Sequence, residues 1–204
     1  MMKHPTLQRH LMHLRDPATR PPEFRRHLRS LGEFFGNEIA GSMPTVRRNI
    51  TCALGGPQFM DVLEQEPAIV YVERAGRELY FGLQKAFPHA ESGVIAAARD
   101  EETLESTISY AAIPELENRE VIVADTMIAT GGSMTRALDV VKQYSPQKIH
   151  VVGAIASRHA MKLLYDYDRG MDIHVAAIDS KLDSNGFIRP GLGDAGDRCY
   201  GGKV

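Results

Sequence analysis

Long hydrophobic runs are missing from this 204-residue chain. A membrane-spanning helix needs roughly 20 apolar residues in a row, and nothing here approaches that. Met1-Met2-Lys3-His4-Pro5 is not followed by an apolar stretch, so no secretory signal is evident and a cytoplasmic protein is expected. Cysteine is scarce. Cys52 and Cys199 stand far apart with no metal-ligand spacing, and both are expected to be reduced and structural. The eight histidines form no HExxH pattern. His10 and His13, one helical turn apart, read as part of a solvated helix face. A strong charge of one sign is also lacking. A net charge of −2 argues against an overall nucleic-acid binder. Internal repeats, low-complexity segments and domain linkers are absent from the sequence.

What is present is the composition of an ordinary globular protein, with 43% hydrophobic and 25% charged residues. The length suits a single domain over residues 1–204 with a sizeable core. The small net charge hides an uneven distribution. Residues 1–50 hold nine Lys/Arg and four Asp/Glu, while the remaining 154 hold fifteen and twenty-two. Such a basic arm is suited to an anionic effector or a partner subunit, although a solvated helix face explains it more simply.

The arm, residues 1–44, is expected to be helical. Leu7, Leu11 and Leu14 mark a short helix over 5–15 that Asp16-Pro17 interrupts. Pro21-Pro22 then suits a first helical turn. Phe24, Leu28, Leu31, Phe35 and Ile39 follow at amphipathic spacing up to Gly41-Ser42-Met43-Pro44. Residues 45–66 read as an edge hairpin and connection. Val46 to Leu54 alternates, Gly55-Gly56-Pro57 turns, Gln58–Met60 returns briefly, and Asp61–Glu66 connects as a turn or short helix. Residues 67–180 alternate strands and helices. The strands are placed at 68–72, 93–98, 107–111, 121–124, 149–156 and 173–178. The helices are placed at 77–87, 132–144 and 158–167. This pattern predicts an α/β fold with a mainly parallel sheet flanked by helices. Ligands in such folds sit beyond the carboxyl ends of the strands, so the loops after strands carry the chemistry.

The most informative loop lies in Val121–Thr135. An apolar strand ends in Asp125, and Thr130-Gly131-Gly132-Ser133 turns into a helix. A helix N-terminus with glycines admits an anion such as phosphate, and the upstream carboxylate suits sugar hydroxyls. Standing alone, an ordinary turn capped by Thr130 or Ser133 explains this stretch equally well. Arg74, in Glu73-Arg74-Ala75-Gly76, offers a planar fork for phosphate oxygens. A structural salt bridge is an equal alternative there. Arg99 opens an acidic loop. Near the end of the chain, Pro190-Gly191-Leu192-Gly193-Asp194-Ala195-Gly196-Asp197-Arg198 exposes backbone suited to the edge of a planar base, with Asp194 adding a carboxylate.

Together these loops resemble those of uracil phosphoribosyltransferases, a branch of the type I phosphoribosyltransferases. VADTMIATGGS resembles the signature for phosphoribosyl pyrophosphate (PRPP), and PGLGDAGDR is the part specific to the uracil branch. The resemblance runs in order over nearly the whole chain. It implies a type I phosphoribosyltransferase core, an N-terminal helical arm and a C-terminal base-binding hood over residues 181–204. It places PRPP contacts on Arg74, Arg99, Asp125, Thr126, Met127, Ile128, Ala129, Thr130, Gly131, Gly132, Ser133 and Asp194. It places uracil contacts on Ile188, Gly193, Asp194 and Ala195. Arg74, Arg99 and Asp125 are the catalytic candidates. Uracil and PRPP would give UMP and diphosphate, with magnesium bound mainly through PRPP and no protein metal ligand assigned. A homo-oligomer (dimer or tetramer) and GTP as an effector are further implications. The loop beginning at Arg99 is expected to close over the site.

The chain departs from the family at several positions. Glu73 replaces an apolar residue, Arg77-Glu78-Leu79 is unusually charged, and Thr126 replaces proline. Asp183 replaces asparagine, Phe187 replaces tyrosine and Arg189 replaces an aliphatic residue. These departures leave two alternatives open: a phosphoribosyltransferase for another base, and a non-catalytic nucleotide sensor with the same fold.

Overall fold

The computed structural model describes residues 4–99 and 106–202. Two helices open the chain, α1 (Pro5–Arg15) and α2 (Pro21–Ala40). Each begins with proline in its first turn, as the fixed φ of that residue favours. An antiparallel hairpin follows, β1 (Thr45–Thr51) and β2 (Pro57–Leu63). Then come β3 (Ala68–Glu73), α3 (Gly76–Ala86), β4 (Ser92–Arg99), β5 (Ser106–Ala112), β6 (Glu120–Ala124), β7 (Met127–Ile128), α4 (Gly132–Lys142), β8 (Lys148–Ser157), α5 (Arg158–Tyr167) and β9 (Asp172–Asp179). The chain closes with the two-residue strands β10 (Lys181–Leu182) and β11 (Ile188–Arg189) and the short helix α6 (Ala195–Tyr200).

The central sheet has seven strands. Its main path is β5-β4-β3-β6-β8, and β7 and β9 both pair with β8. Every pairing in it is parallel except that of β5 with β4. Both faces of the sheet are covered, which is why the strands read as continuous apolar runs. Alternate residues of one strand serve opposite faces. Ile122 and Ala124 join Leu28, Leu31, Phe35 and Leu79 under α1, α2 and α3. Val121 and Val123 join Met134, Leu138, Val141 and Leu164 under α4 and α5.

The hairpin differs from expectation. β2 runs on to Leu63 because it pairs residue for residue with β1, from Thr45↔Leu63 to Thr51↔Pro57. The stretch 61–63, expected to be part of a turn or short helix, is therefore strand. The alternation was weak because most of both strands is exposed on both faces. Cys199 is buried as a structural cysteine should be, whereas Cys52 is exposed beside the hairpin turn and has no such role. The solvated helix face expected for His10 and His13 is also wrong in part. His10 Nδ1 lies 2.9 Å from Nδ1 of buried His27, and His13 stacks flat on the same ring.

The charge of the arm is solvated only in part: Arg9, Arg20 and Arg26 are exposed, but three other arginines are engaged. Arg15 donates twice to the Asp179 carboxylate, at 2.8 and 2.9 Å, and once to the Gly191 carbonyl at 2.9 Å. Arg25 donates to the Cys199 carbonyl. Arg29 pairs at 2.7 Å with Glu78, a buried acid that also accepts from the Tyr200 hydroxyl. From the other side, Arg198 donates to the carbonyls of Leu14, Asp16 and Leu192. The basic arm is thus fastened to the acidic remainder.

Helices α2 and α3 meet backbone to backbone at Gly32 and Gly82. A Cβ on Gly82 would stand 2.0 Å from the Arg29 carbonyl oxygen and 2.8 Å from Gly32 Cα. Backbone cannot yield as a flexible side chain does. Gly82→Ala should therefore push the helices apart and cost at least the about 1–3 kcal/mol typical of overpacking, read as a lower midpoint in urea unfolding. An unchanged midpoint would show that the contact is not tight.

Candidate active site

The crossovers of a parallel sheet bring the loops after successive strands to one end. The loops after β3 and β6, the upper part of β4 and the segment from β10 to α6 surround one cavity of about 970 Å³ there.

The first wall comes from β3. Its last residue, Glu73, is joined to Arg74 by a cis peptide. The Arg74 guanidinium donates to Asp197 Oδ1 at 2.6 Å. It lies close over Gly196, where a Cβ would come within 2.9 Å of Nη2. Glu73 does not confront Arg74. It accepts from Arg77 one turn into α3, with Nε at 3.1 Å.

The second wall is the loop from Asp125 into α4. Thr126 is fully buried, and its hydroxyl donates to the Ala75 carbonyl at 2.8 Å. This bond ties the two loops together. Its carbonyl accepts from the Ala154 amide at 3.0 Å. Ser157, the last residue of β8, donates to the Ala129 carbonyl at 2.5 Å and caps α5 through the Ala160 amide at 2.9 Å. Gly131 precedes α4 with φ of 88°, a conformation costly for any residue with a Cβ. The Thr130 hydroxyl accepts weakly from the Gly132 amide at 3.4 Å. Thr135 closes the turn on the carbonyls of Gly131 and Gly132.

Asp125 is half-buried in this wall and lines the cavity. Burial pushes its carboxyl up to about 7, against the opposing pull of hydrogen bonds from the Thr126 and Met127 amides. A carboxyl so placed favours a ligand that donates hydrogen bonds to it.

The third wall is the C-terminal segment. Ile188, Leu192 and Ala195 are buried and anchor it in the core. Asp194 caps α6 by accepting from the Asp197 amide at 2.9 Å. Asp183 accepts from the amides of Asn185 and Phe187, at 3.0 and 2.9 Å, and from Arg189 Nε at 2.8 Å. These bonds hold its carboxyl below the usual range.

Of the residues expected in a site, Arg74, Asp125, Thr126, Met127, Ile128, Ala129, Thr130, Gly131, Ser133, Ile188, Asp194 and Ala195 line this cavity. Gly132 and Gly193 adjoin it without lining it. Arg99 ends β4, and the acidic loop expected to follow, Asp100–Glu105, lies outside the described residues. Sequence reasoning missed Ala96, Ala97, Met134 and Ser184–Gly186, which also line the cavity. It missed Ser157 as the residue that pins the loop. The last has a local signal, since a serine just before an apolar-periodic segment is a helix cap.

The sequence profile of the family described as uracil phosphoribosyltransferase matches residues 1–202. The chain belongs to the uracil phosphoribosyltransferase family. It is 36% identical over 204 residues to the uracil phosphoribosyltransferase of Dictyoglomus turgidum, covering 100% of this chain and 99% of that one. It is 32% identical over 203 residues to the uracil phosphoribosyltransferase of Aquifex aeolicus, covering 100% and 98%. A solved structure of an Aquifex aeolicus protein superposes with a TM-score of 0.93 at 31% identity, covering 100% of this chain and 98% of that one. A hypoxanthine-guanine phosphoribosyltransferase from Bacillus anthracis shares the fold, with a TM-score of 0.52 at 10% identity over 78% and 80% of the two chains. Two ion pairs lie beside the cavity: Glu73 with Arg77, and Asp183 with Arg189.

Asp125 has a cost that pH reveals. Its folded carboxyl holds a proton more tightly than an unfolded one, which titrates near 3.8. Folding therefore loses stability as pH rises from about 4 to about 7, and loses no more above that. Asp125→Asn should raise the unfolding midpoint clearly at pH 8 and much less at pH 5. An equal effect at both would place the carboxyl in an ordinary solvated setting.

Proposed function

We infer that this chain transfers the 5-phosphoribosyl group of PRPP to uracil, giving UMP and diphosphate. The observation that carries the reading is one cavity bounded by Arg74, the Asp125–Ser133 loop and the Ile188–Ala195 segment. An anion site, a carboxylate for hydroxyls and a backbone-rich face for a planar base meet there.

The phosphate loop and the start of α4 suit the 5′-phosphate, through backbone amides and the positive end of the helix dipole. Asp125 suits the ribose hydroxyls, which favour its ionised form by donating to it. Arg74 suits the diphosphate, whose charge grows as the bond to C1 breaks. The donor then competes with Asp197 for the guanidinium. Ile188, Gly193, Asp194 and Ala195 suit the uracil ring. Attack by N1 on C1 from the face opposite diphosphate inverts that carbon. None of the eight histidines lines the cavity, so the protein's share of catalysis is positioning and charge stabilisation rather than imidazole base chemistry.

Magnesium belongs to this reading as part of the PRPP chelate. Among the described residues no group of three ligating side chains gathers in the cavity. Two of the nearby acids are already paired, Glu73 with Arg77 and Asp197 with Arg74. Asp125 and Asp194 fit an ion that takes most of its oxygens from substrate and water.

The hairpin supports self-association as a dimer or larger oligomer. Ile50, Met60 and Val62 are each more than two-fifths exposed on one of its faces. Met60→Lys together with Val62→Lys should lower the mass measured by light scattering, and an unchanged mass would exclude this face.

The decisive assay mixes purified protein, PRPP and magnesium with uracil, orotate, hypoxanthine, guanine or xanthine, with and without GTP. UMP from uracil is expected, with no nucleotide from the other bases. Product from another base, or binding without turnover, would overturn the assignment. Arg74→Ala should lower the rate about 10²–10³-fold, the range seen when a transition-state charge loses its partner, with the fold retained by circular dichroism.

A further inference from the structure

The opposite end of the sheet, where strands begin, carries a second polar cluster. Glu120 opens β6, Lys148 opens β8 and Asp172 opens β9. His150 and His174 follow two residues further along β8 and β9. Glu120 is in register with Lys148, and His150 with Asp172. Side chains of a strand alternate between faces, so all five project from the same face.

His150 is fully buried. Its Nε2 lies 2.7 Å from Glu120 Oε2. An ionised carboxylate only accepts, so Nε2 carries the proton and Nδ1 presents a lone pair. That Nδ1 faces His174 Nε2 at 3.3 Å and Asp172 Oδ2 at 3.8 Å. The ligating atoms of His150, Asp172 and His174 all lie within 4.8 Å of one another. Two nitrogens each about 2.0–2.1 Å from a tetrahedral zinc ion stand about 3.3–3.4 Å apart. The histidine pair already has that separation. A carboxylate on the far nitrogen of a ligating histidine is also the usual way its tautomer is set.

We propose that His150, His174 and Asp172 form a binding site for a zinc ion, with Glu120 orienting His150. Two imidazoles and one carboxylate suit this borderline cation, and a fourth position is left for water. Lys148 is the internal competitor. Its ammonium holds Asp172 Oδ2 at 2.7 Å, and zinc takes its place on that carboxylate. The Asp172 and Lys148 side chains are 48% and 38% exposed, so the exchange needs no opening of the core. None of these residues lines the phosphoribosyl cavity. The site would clasp β8 to β9 at the foot of the sheet. The other histidine group, His10, His13 and His27, is built differently. His13 and His27 stack face to face, with ring planes 4° apart and centroids 4.4 Å apart, which does not converge their nitrogens on one point.

The test uses the full chain after treatment with chelator, titrated with zinc chloride by calorimetry and with cobalt(II) by visible absorption. One zinc per chain, a higher unfolding midpoint with zinc and intense tetrahedral cobalt bands are expected. Asp172→Asn, a change on an exposed side chain, should weaken zinc at least about tenfold. His174→Ala should abolish the cobalt bands, and Glu120→Gln should weaken zinc about 10–100-fold. His27→Ala should leave the affinity unchanged. Absence of zinc binding, unchanged affinity in Asp172→Asn, or loss in His27→Ala would each overturn the site.

Discussion

The carboxylate of Asp179 is the joint on which the arrangement turns. It sits at the end of β9, is 8% exposed, and takes two hydrogen bonds from Arg15 and one from the Gly191 amide. One acid therefore connects the sheet, the N-terminal arm and the C-terminal segment. A charge so deeply placed persists only because it is paired and fully hydrogen-bonded. Remove that joint, and Arg15 keeps only its single bond to the Gly191 carbonyl. The third wall would then rest on the burial of Ile188, Leu192 and Ala195 and on the remaining bonds of Arg25, Arg74 and Arg198.

A smaller bond serves the other two walls. The Thr126 hydroxyl on the Ala75 carbonyl joins the arginine loop to the phosphate loop inside the protein. The charged residues beside the cavity follow the same logic. Glu73 adjoins Arg74 in sequence, yet its charge is taken up by Arg77. Arg189 follows the cavity-lining Ile188, yet Asp183 holds it. Each pair meets its charge locally and leaves the cavity's own chemistry in place.

Much of this was legible in the residues. The amphipathic spacing from Phe24 to Ile39 and the apolar runs of β3, β6 and β8 announce helix and buried strand, because both faces of the sheet are covered. The loops after β3 and β6 follow directly, since each begins where a run ends. The hairpin was harder to read. Periodicity reports burial, and β1 and β2 bury almost nothing within one chain. The short strands β10 and β11 have no period to detect at two residues each. Ion pairs such as Arg15 with Asp179 join residues 164 apart, and no local pattern encodes such a distance. The histidine groups were missed for the same reason. His27 lies 17 residues beyond His10, and His174 lies 24 beyond His150.

The clasp between the arm and the segment after β9 also bears on when the site comes into being. Synthesis delivers Arg15 and Arg25 early, and Asp179, Gly191 and Cys199 late. Until those late residues emerge, the arginines have no acid or carbonyl to meet, and two walls of the cavity stand without the third. Contacts of such long sequence separation are slow to close. A nascent chain of this protein would thus hold the Asp125–Ser133 loop before it holds the Ile188–Ala195 segment that completes the cavity.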